Sequence, residues 1–88
     1  MNEGILTQRE GNLYAGEHRV LKGWESFSGW FWFGTEQVKG EPGVWFGFVQ
    51  GFENEWGYFS MEEMRPLIER GAIWPIKPYD LPYAGRRD

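Results

Sequence analysis

Between Gly29 and Ser60 the chain alternates bulky apolar side chains with glycines and carboxylates, and that pattern sets the first structural expectation. Trp30-Phe31-Trp32-Phe33 is almost entirely β-forming, and Thr35 and Val38 extend the run, so Gly29 to Val38 reads as a strand. Lys39-Gly40-Glu41-Pro42-Gly43 supplies the dihedral freedom and the fixed φ of a tight turn. Val44 to Phe52 then resumes β character, which predicts an antiparallel hairpin. Asn54 and the glycines around it mark another turn before a short strand from Glu55 to Phe59.

Successive side chains of a strand point to opposite faces. Trp30 and Trp32 therefore share one face and Phe31 and Phe33 the other, while Trp45, Gly47 and Val49 oppose Phe46 and Phe48. Both faces of the hairpin are apolar. Gly47, Gly51 and Gly57, set among bulky residues, each predict a bulge, a bend or room for a neighbouring ring.

At Ser60 the period changes. Its hydroxyl and Glu63 form a capping box, and Met61, Met64, Leu67 and Ile68 follow at helical spacing, with Gly71 placed to close the helix. A helix from Met61 to Arg70 is expected, distorted or broken at Pro66 because proline removes a hydrogen bond and crowds the residue four before it. The flanks are weaker. Met1 to Gly16 reads as an arm or edge strand, and Glu17 to Glu25 as a strand interrupted by Gly23. Ser26 to Gly29 supplies turn residues. Trp74 to Tyr83 carries three prolines, which excludes helix and favours an extended edge or tail, and Ala84 to Asp88 reads as a mobile end.

The fold expected over residues 1–88 is a single α+β domain: a small antiparallel sheet of three to five strands with one short helix packed on one face. One helix covers one face only. The other is closed by the N-terminal arm and the proline-rich tail, or by curling of the sheet, or else it stays open as an interaction surface. Homodimerisation through the sheet is the simplest form of the open alternative.

Composition sharpens this picture. A chain of 88 residues buries only roughly 60% of the surface its unfolded form exposes, so the core must be dense. The 19% aromatic content supplies that density without other staples. Cysteine is absent, which excludes disulfides, thiolate zinc sites, iron–sulfur clusters and cysteine nucleophiles, and fits a reducing cytoplasm. No signal-peptide pattern opens the chain, and no run reaches the roughly 18 apolar residues of a membrane span.

The formal net charge is −4. Glu53, Glu55, Glu62 and Glu63 lie in a stretch without a base, and Arg86 and Arg87 form a small basic end. Most such runs are solvated faces.

Catalytic patterns are sparse. His18 is the only histidine and sits between Glu17 and Arg19, as a lone surface histidine would. Glu53 and Glu55, near Tyr58, form the one carboxylate pair that could serve a small hydrolase-like enzyme, although this spacing beside Asn54 more often makes a turn. No glycine-rich phosphate loop precedes a helix, and no cofactor or metal is expected. Aromatic strands can also stack single-stranded nucleic acid. Glu36, Glu53 and Glu55 outweigh Lys22 and Lys39 on these strands, however, which argues against a phosphate-binding groove.

From Val44 to Met64 the residues Phe46, Gly47, Val49, Gly51, Glu53, Glu55, Gly57, Tyr58, Phe59 and Ser60, followed by Glu62 and Glu63, stand in a distinctive order. The order resembles a family of small uncharacterised proteins of bacterial and archaeal plasmids, phages and genomes. That family carries the string Phe-Gly-x-Val-x-Gly-x-Glu-x-Glu-x-Gly-Tyr-Phe-Ser before an acidic helix. Trp32-Phe33-Gly34-Thr35-Glu36 is similar to the family's aromatic strand, and Pro66-Leu67-Ile68-Glu69-Arg70 to its proline-containing segment with altered spacing. The resemblance spans Trp30 to Arg70 and implies no activity, cofactor or catalytic residue. It does imply an accessory role on mobile elements, in transfer or in countering host defence.

The function expected is therefore non-catalytic protein binding. Its contact zone joins an acidic rim of Glu53, Glu55, Glu62 and Glu63 to the aromatics Trp45, Trp56 and Tyr58. The partner expected is a basic host protein, met by carboxylates standing where phosphates would sit.

Overall fold

The computed structural model describes residues 5–85. It begins with three short strands, β1 (Leu6–Arg9), β2 (Asn12–Ala15) and β3 (His18–Arg19), which pair antiparallel as a small meander in the order β1-β2-β3. Arg9 and Asn12 face each other across a two-residue turn whose Glu10 and Gly11 both have positive φ, 53° and 83°. Left-handed dihedrals at both central positions match the right-handed twist of a tight hairpin. The Arg9 guanidinium ties the meander together, donating to the Gly16 carbonyl at 3.0 Å and lying 4.4 Å from the centre of the Tyr14 ring. The arm expected from the sequence is thus a sheet of its own, because its turn chemistry closes a hairpin that its few apolar residues do not announce.

The second sheet holds β4 (Lys22–Ser26), β5 (Phe31–Gln37), β6 (Val44–Gln50), β7 (Asn54–Ser60) and β8 (Ile73–Pro75) in the order β7-β6-β5-β4-β8, every pair antiparallel. The β5–β6 hairpin turns through 38–43 as its sequence dictates, with Gly40 and Gly43 at positive φ. Pairing sets Trp32 opposite Val49 and Phe33 opposite Phe48, and a bulge between Gly34 and Glu36 shifts the register. The α+β class stands, with two antiparallel sheets in place of one.

Helix α1 (Met61–Glu69) follows β7 directly. Ser60 is its N-cap, the hydroxyl accepting from the Glu63 N–H at 3.0 Å. At the other end Gly71 has φ 77°, with its N–H on the Ile68 carbonyl and the Ala72 N–H on Leu67, a closure that uses the last free carbonyls. The helix runs unbroken through Pro66, so of the two expected outcomes the break does not occur. Pro66 lacks the N–H that would bond the Glu62 carbonyl, and Glu62 lies on the exposed side of the helix. Ser60→Ala removes the cap and is expected to cost about 1 kcal/mol, read as a fall of several degrees in Tm, while Ser60→Asp restores most of it.

The alternation of the strands sorts the rings into two cores. On the helix side Trp24, Trp45, Phe59, Met64 and Ile73 are buried together, with Trp32, Val49, Met61 and Ile68 at their margin. Trp24 meets Trp45 and Phe59 edge-on at 5.7 and 5.6 Å. On the other side Phe33 and Phe48 pack with Leu13, Ala15 and Val20 of the meander and with Leu81. Around Phe33 and Phe48 the second aromatic face is thus core, closed by the N-terminal residues and the C-terminal segment.

That segment first adds β8 to β4, where the Trp74 indole N–H donates to Glu25 Oε2 at 2.9 Å. It then forms a 3₁₀ turn at Leu81–Tyr83, whose Pro82 stands at its first positions, where no N–H is needed. Leu81 lies over Gly23, where a Cβ would stand 2.6 Å from its Cδ1. Ala84 and Gly85 also pack on the core rather than forming a free end, with Gly85 against the Phe33 ring. The basic end at Arg86 and Arg87, and the first four residues of the expected arm, lie outside the described residues.

Candidate functional site

Seven residues were expected to form the contact zone, and the fold divides them. Trp45 leaves it. On β6 it shares the helix side with Val49, is 7% exposed and packs in the core with Trp24, so its ring is not presented to a partner. Its alternation with Phe46 already placed it opposite the face that Trp56 and Tyr58 occupy once β7 pairs with β6.

Trp56 and Tyr58 do belong together. They point to the meander side of β7, opposite Phe48 and Phe46, and are 38% and 71% exposed. Phe46 lies parallel to Trp56 at 6.0 Å and edge-on to Tyr58 at 5.0 Å. His18 meets the Trp56 ring edge-on at 5.8 Å. The sequence reading left out both neighbours. Phe46 was legible from its alternation with Trp45, whereas His18 arrives through the meander, whose docking no local pattern reveals.

The carboxylates lie elsewhere around the same strand. Glu55 is exposed on the helix side, paired with Val49, and Glu53 is exposed in the turn before β7. Glu62 and Glu63 are exposed in the first turn of α1, where they also complement the positive end of the helix dipole. Glu55 and Tyr58 occupy opposite faces, so the carboxylate pair and the phenol do not converge on one substrate. Among the described residues no group of three or more His, Asp or Glu side chains is placed to hold a metal ion. No helix of the described residues is long and apolar enough to cross a membrane.

Glu55, Trp56 and Tyr58 share β7, whose outer edge ends the sheet beyond β6. Gly51 donates to the Glu53 carbonyl at one end of the β6–β7 pair, and Met61 to Gly43 at the other, at 3.3 and 2.7 Å. Antiparallel pairs alternate in this respect, so Glu55, Gly57 and Phe59 bond inward to β6. The backbone groups of Asn54, Trp56, Tyr58 and Ser60 turn outward. No family model, curated protein or solved structure matches the chain.

A second exposed aromatic group lies at the far end of the helix-side face. Phe52, almost wholly exposed, meets Trp30 edge-on at 5.4 Å, and the Trp30 ring covers Gly51, where a Cβ would stand 2.5 Å away. Of Gly47, Gly51 and Gly57, Gly51 in the β6–β7 turn is the one that makes room for a ring.

Proposed function

We propose that this chain is a non-catalytic protein-binding module that meets a basic protein partner through the rim of β7. The observation that carries the reading is the pairing of Trp56 and Tyr58, exposed on an edge strand, with an acidic surround. From Gly40 to Met64 there are five glutamates and no lysine, arginine or histidine. Large rings outside the core supply contact area at low entropic cost, and surrounding carboxylates select cationic partners and speed encounter. A phosphate backbone would meet the same carboxylates as repulsion. Resemblance of Val44–Met64 to the mobile-element family favours an accessory role in which the carboxylates replace phosphates on a host nucleic-acid-binding protein.

The test is capture from host lysate at low salt, elution by added salt, and repetition with Trp56→Ala/Tyr58→Ala. A specific partner should be recovered, released by salt and lost by at least about tenfold with the double variant, since central aromatic contacts commonly carry more than 1 kcal/mol each. Tyr58→Ala alone should hardly move the melting temperature, because that ring is 71% exposed, whereas loss of the Trp56 ring, which meets His18, Phe46 and Phe48, should lower it by several degrees, so capture is compared well below the variant's transition. Recovery of no partner, or capture indifferent to the two rings, contradicts the proposal.

A further inference from the structure

We infer that the partner binds by strand addition: an extended segment with alternating basic and apolar residues pairs antiparallel with β7. The inference rests on the protein-binding reading and specifies its ligand.

Free sheet edges are normally short, bulged, or guarded by proline or cationic residues, because an open row of N–H and C=O groups invites another chain. Three of the four terminal strands in this fold obey that rule. β8 has three residues and ends on Pro75, β3 has two, and β1 has four and ends on Arg9. β7 does not. Its seven residues contain no proline, lysine or arginine, and they pair with β6 through seven consecutive partners with no register shift.

Side-chain geometry matches the backbone. Trp56 and Tyr58 turn their backbone groups outward and their rings to the meander side, so apolar residues of an added strand would lie beside the two rings. On the helix side the incoming residues meet Glu55 and Gly57. Nothing lies within 4 Å of where a Gly57 Cβ would stand, which leaves room for a long side chain to cross the strand. Glu55 lies on that side, and Glu62 and Glu63 begin the helix just beyond β7, so a long basic side chain fits and a carboxylate does not. A ligand along the edge reaches both faces at once, which one docked on either face alone does not.

Charge also decides against a second copy. Self-pairing centred on Gly57 sets Glu53 of each copy opposite Met61 of the other, against Glu62 and Glu63. Glu53 then lies diagonal to those carboxylates rather than directly opposite, and like charges brought this close repel.

The probe is a synthetic peptide of alternating arginine and valine, long enough to span β7, titrated at low salt and followed by NMR. In antiparallel pairing the valines lie opposite Trp56 and Tyr58 and exchange both backbone bonds with them. N-methylation of the valine amides should weaken binding by at least about tenfold, because two or more hydrogen bonds of about 1 kcal/mol are lost. N-methylation of the arginine amides should leave it unchanged. In the complex the Trp56 and Tyr58 amides should exchange more slowly.

Equal effects of the two methylated peptides, with binding still lost in Trp56→Ala/Tyr58→Ala, overturn strand addition and leave the protein-binding reading standing. Failure of the peptide to bind, when a lysate partner is captured through the same rings, also overturns strand addition alone. Binding of oligothymidylate without binding of the peptide overturns both. A dimer whose interface protects the Trp56 and Tyr58 amides replaces the basic segment with a second copy and overturns the inference.

Discussion

Gly47→Ala is expected to lower the melting temperature by more than about 12 °C, or to prevent folding, although it adds a single methyl group. A Cβ at Gly47 would stand 1.8 Å from the Phe33 carbonyl oxygen, 2.8 Å from the Phe33 carbonyl carbon and 3.0 Å from Gly34 Cα. All three are backbone atoms of β5, so no rotamer change relieves the clash. The strands must separate just before the bulge that begins at Gly34. Overpacking of this kind costs roughly 3 kcal/mol or more, and a domain of this size loses about 4–8 °C per kcal/mol. The control lies in the same cross-strand row, where Gly34 pairs with Gly47 and Gly47 with Gly57. Gly57→Ala meets nothing within 4 Å and should leave Tm unchanged or raise it slightly, since alanine restricts the unfolded chain. Thermal unfolding by circular dichroism separates the two. Equal melting of both variants contradicts the close approach of β5 and β6.

Phe33→Ala is expected to have an effect of comparable size, a loss of about 3–5 kcal/mol. The ring is fully buried in the cluster that joins Phe48 to Leu13, Ala15 and Val20 of the meander and to Leu81 of the C-terminal segment. Gly85 packs on its outer edge and Phe31 stacks on it at 5.7 Å. Few atoms can collapse into the space without pulling two separate elements off the sheet. Beyond the fall in Tm, amide exchange in β1, β2 and β3 should accelerate more than exchange in β6, because the meander has only four, four and two strand residues to hold it. Phe52→Ala, at the exposed β6–β7 turn, should change neither. A meander as protected in Phe33→Ala as in the parent chain would show that this core does not anchor it.

The two-residue period of a strand made the central hairpin legible. Trp32 and Val49 fall on one face and Phe33 and Phe48 on the other from sequence parity alone, and the structure keeps that division. Ser60 likewise announced α1 through its side-chain chemistry. The N-terminal meander was not legible, because its hairpin turns on Glu10 with φ 53°, a conformation glutamate seldom adopts and asparagine or aspartate usually signals. Its stability comes from docking on Phe33 and Phe48, which no local window contains. Leu81 was hidden by its prolines for a related reason: they exclude a regular helix but permit the short turn that drives its side chain over Gly23.

The candidate site was legible in composition and not in arrangement. The glutamates and rings between Glu53 and Glu63 stand out by residue type, but β7 as an open edge is a property of strand order. Trp45 was grouped with Trp56 and Tyr58 as an aromatic neighbour, and only the β6–β7 register shows the three on different faces.

The most direct measurement is residue-resolved amide exchange along β7 in the free protein. The Gly57 and Phe59 amides, bonded inward to β6, should exchange slowly, and those of Trp56 and Tyr58, turned outward, should exchange at rates near those of open chain. Equal protection of all four at every protein concentration would mean that another part of the chain already covers this edge, and would contradict the proposed binding rim.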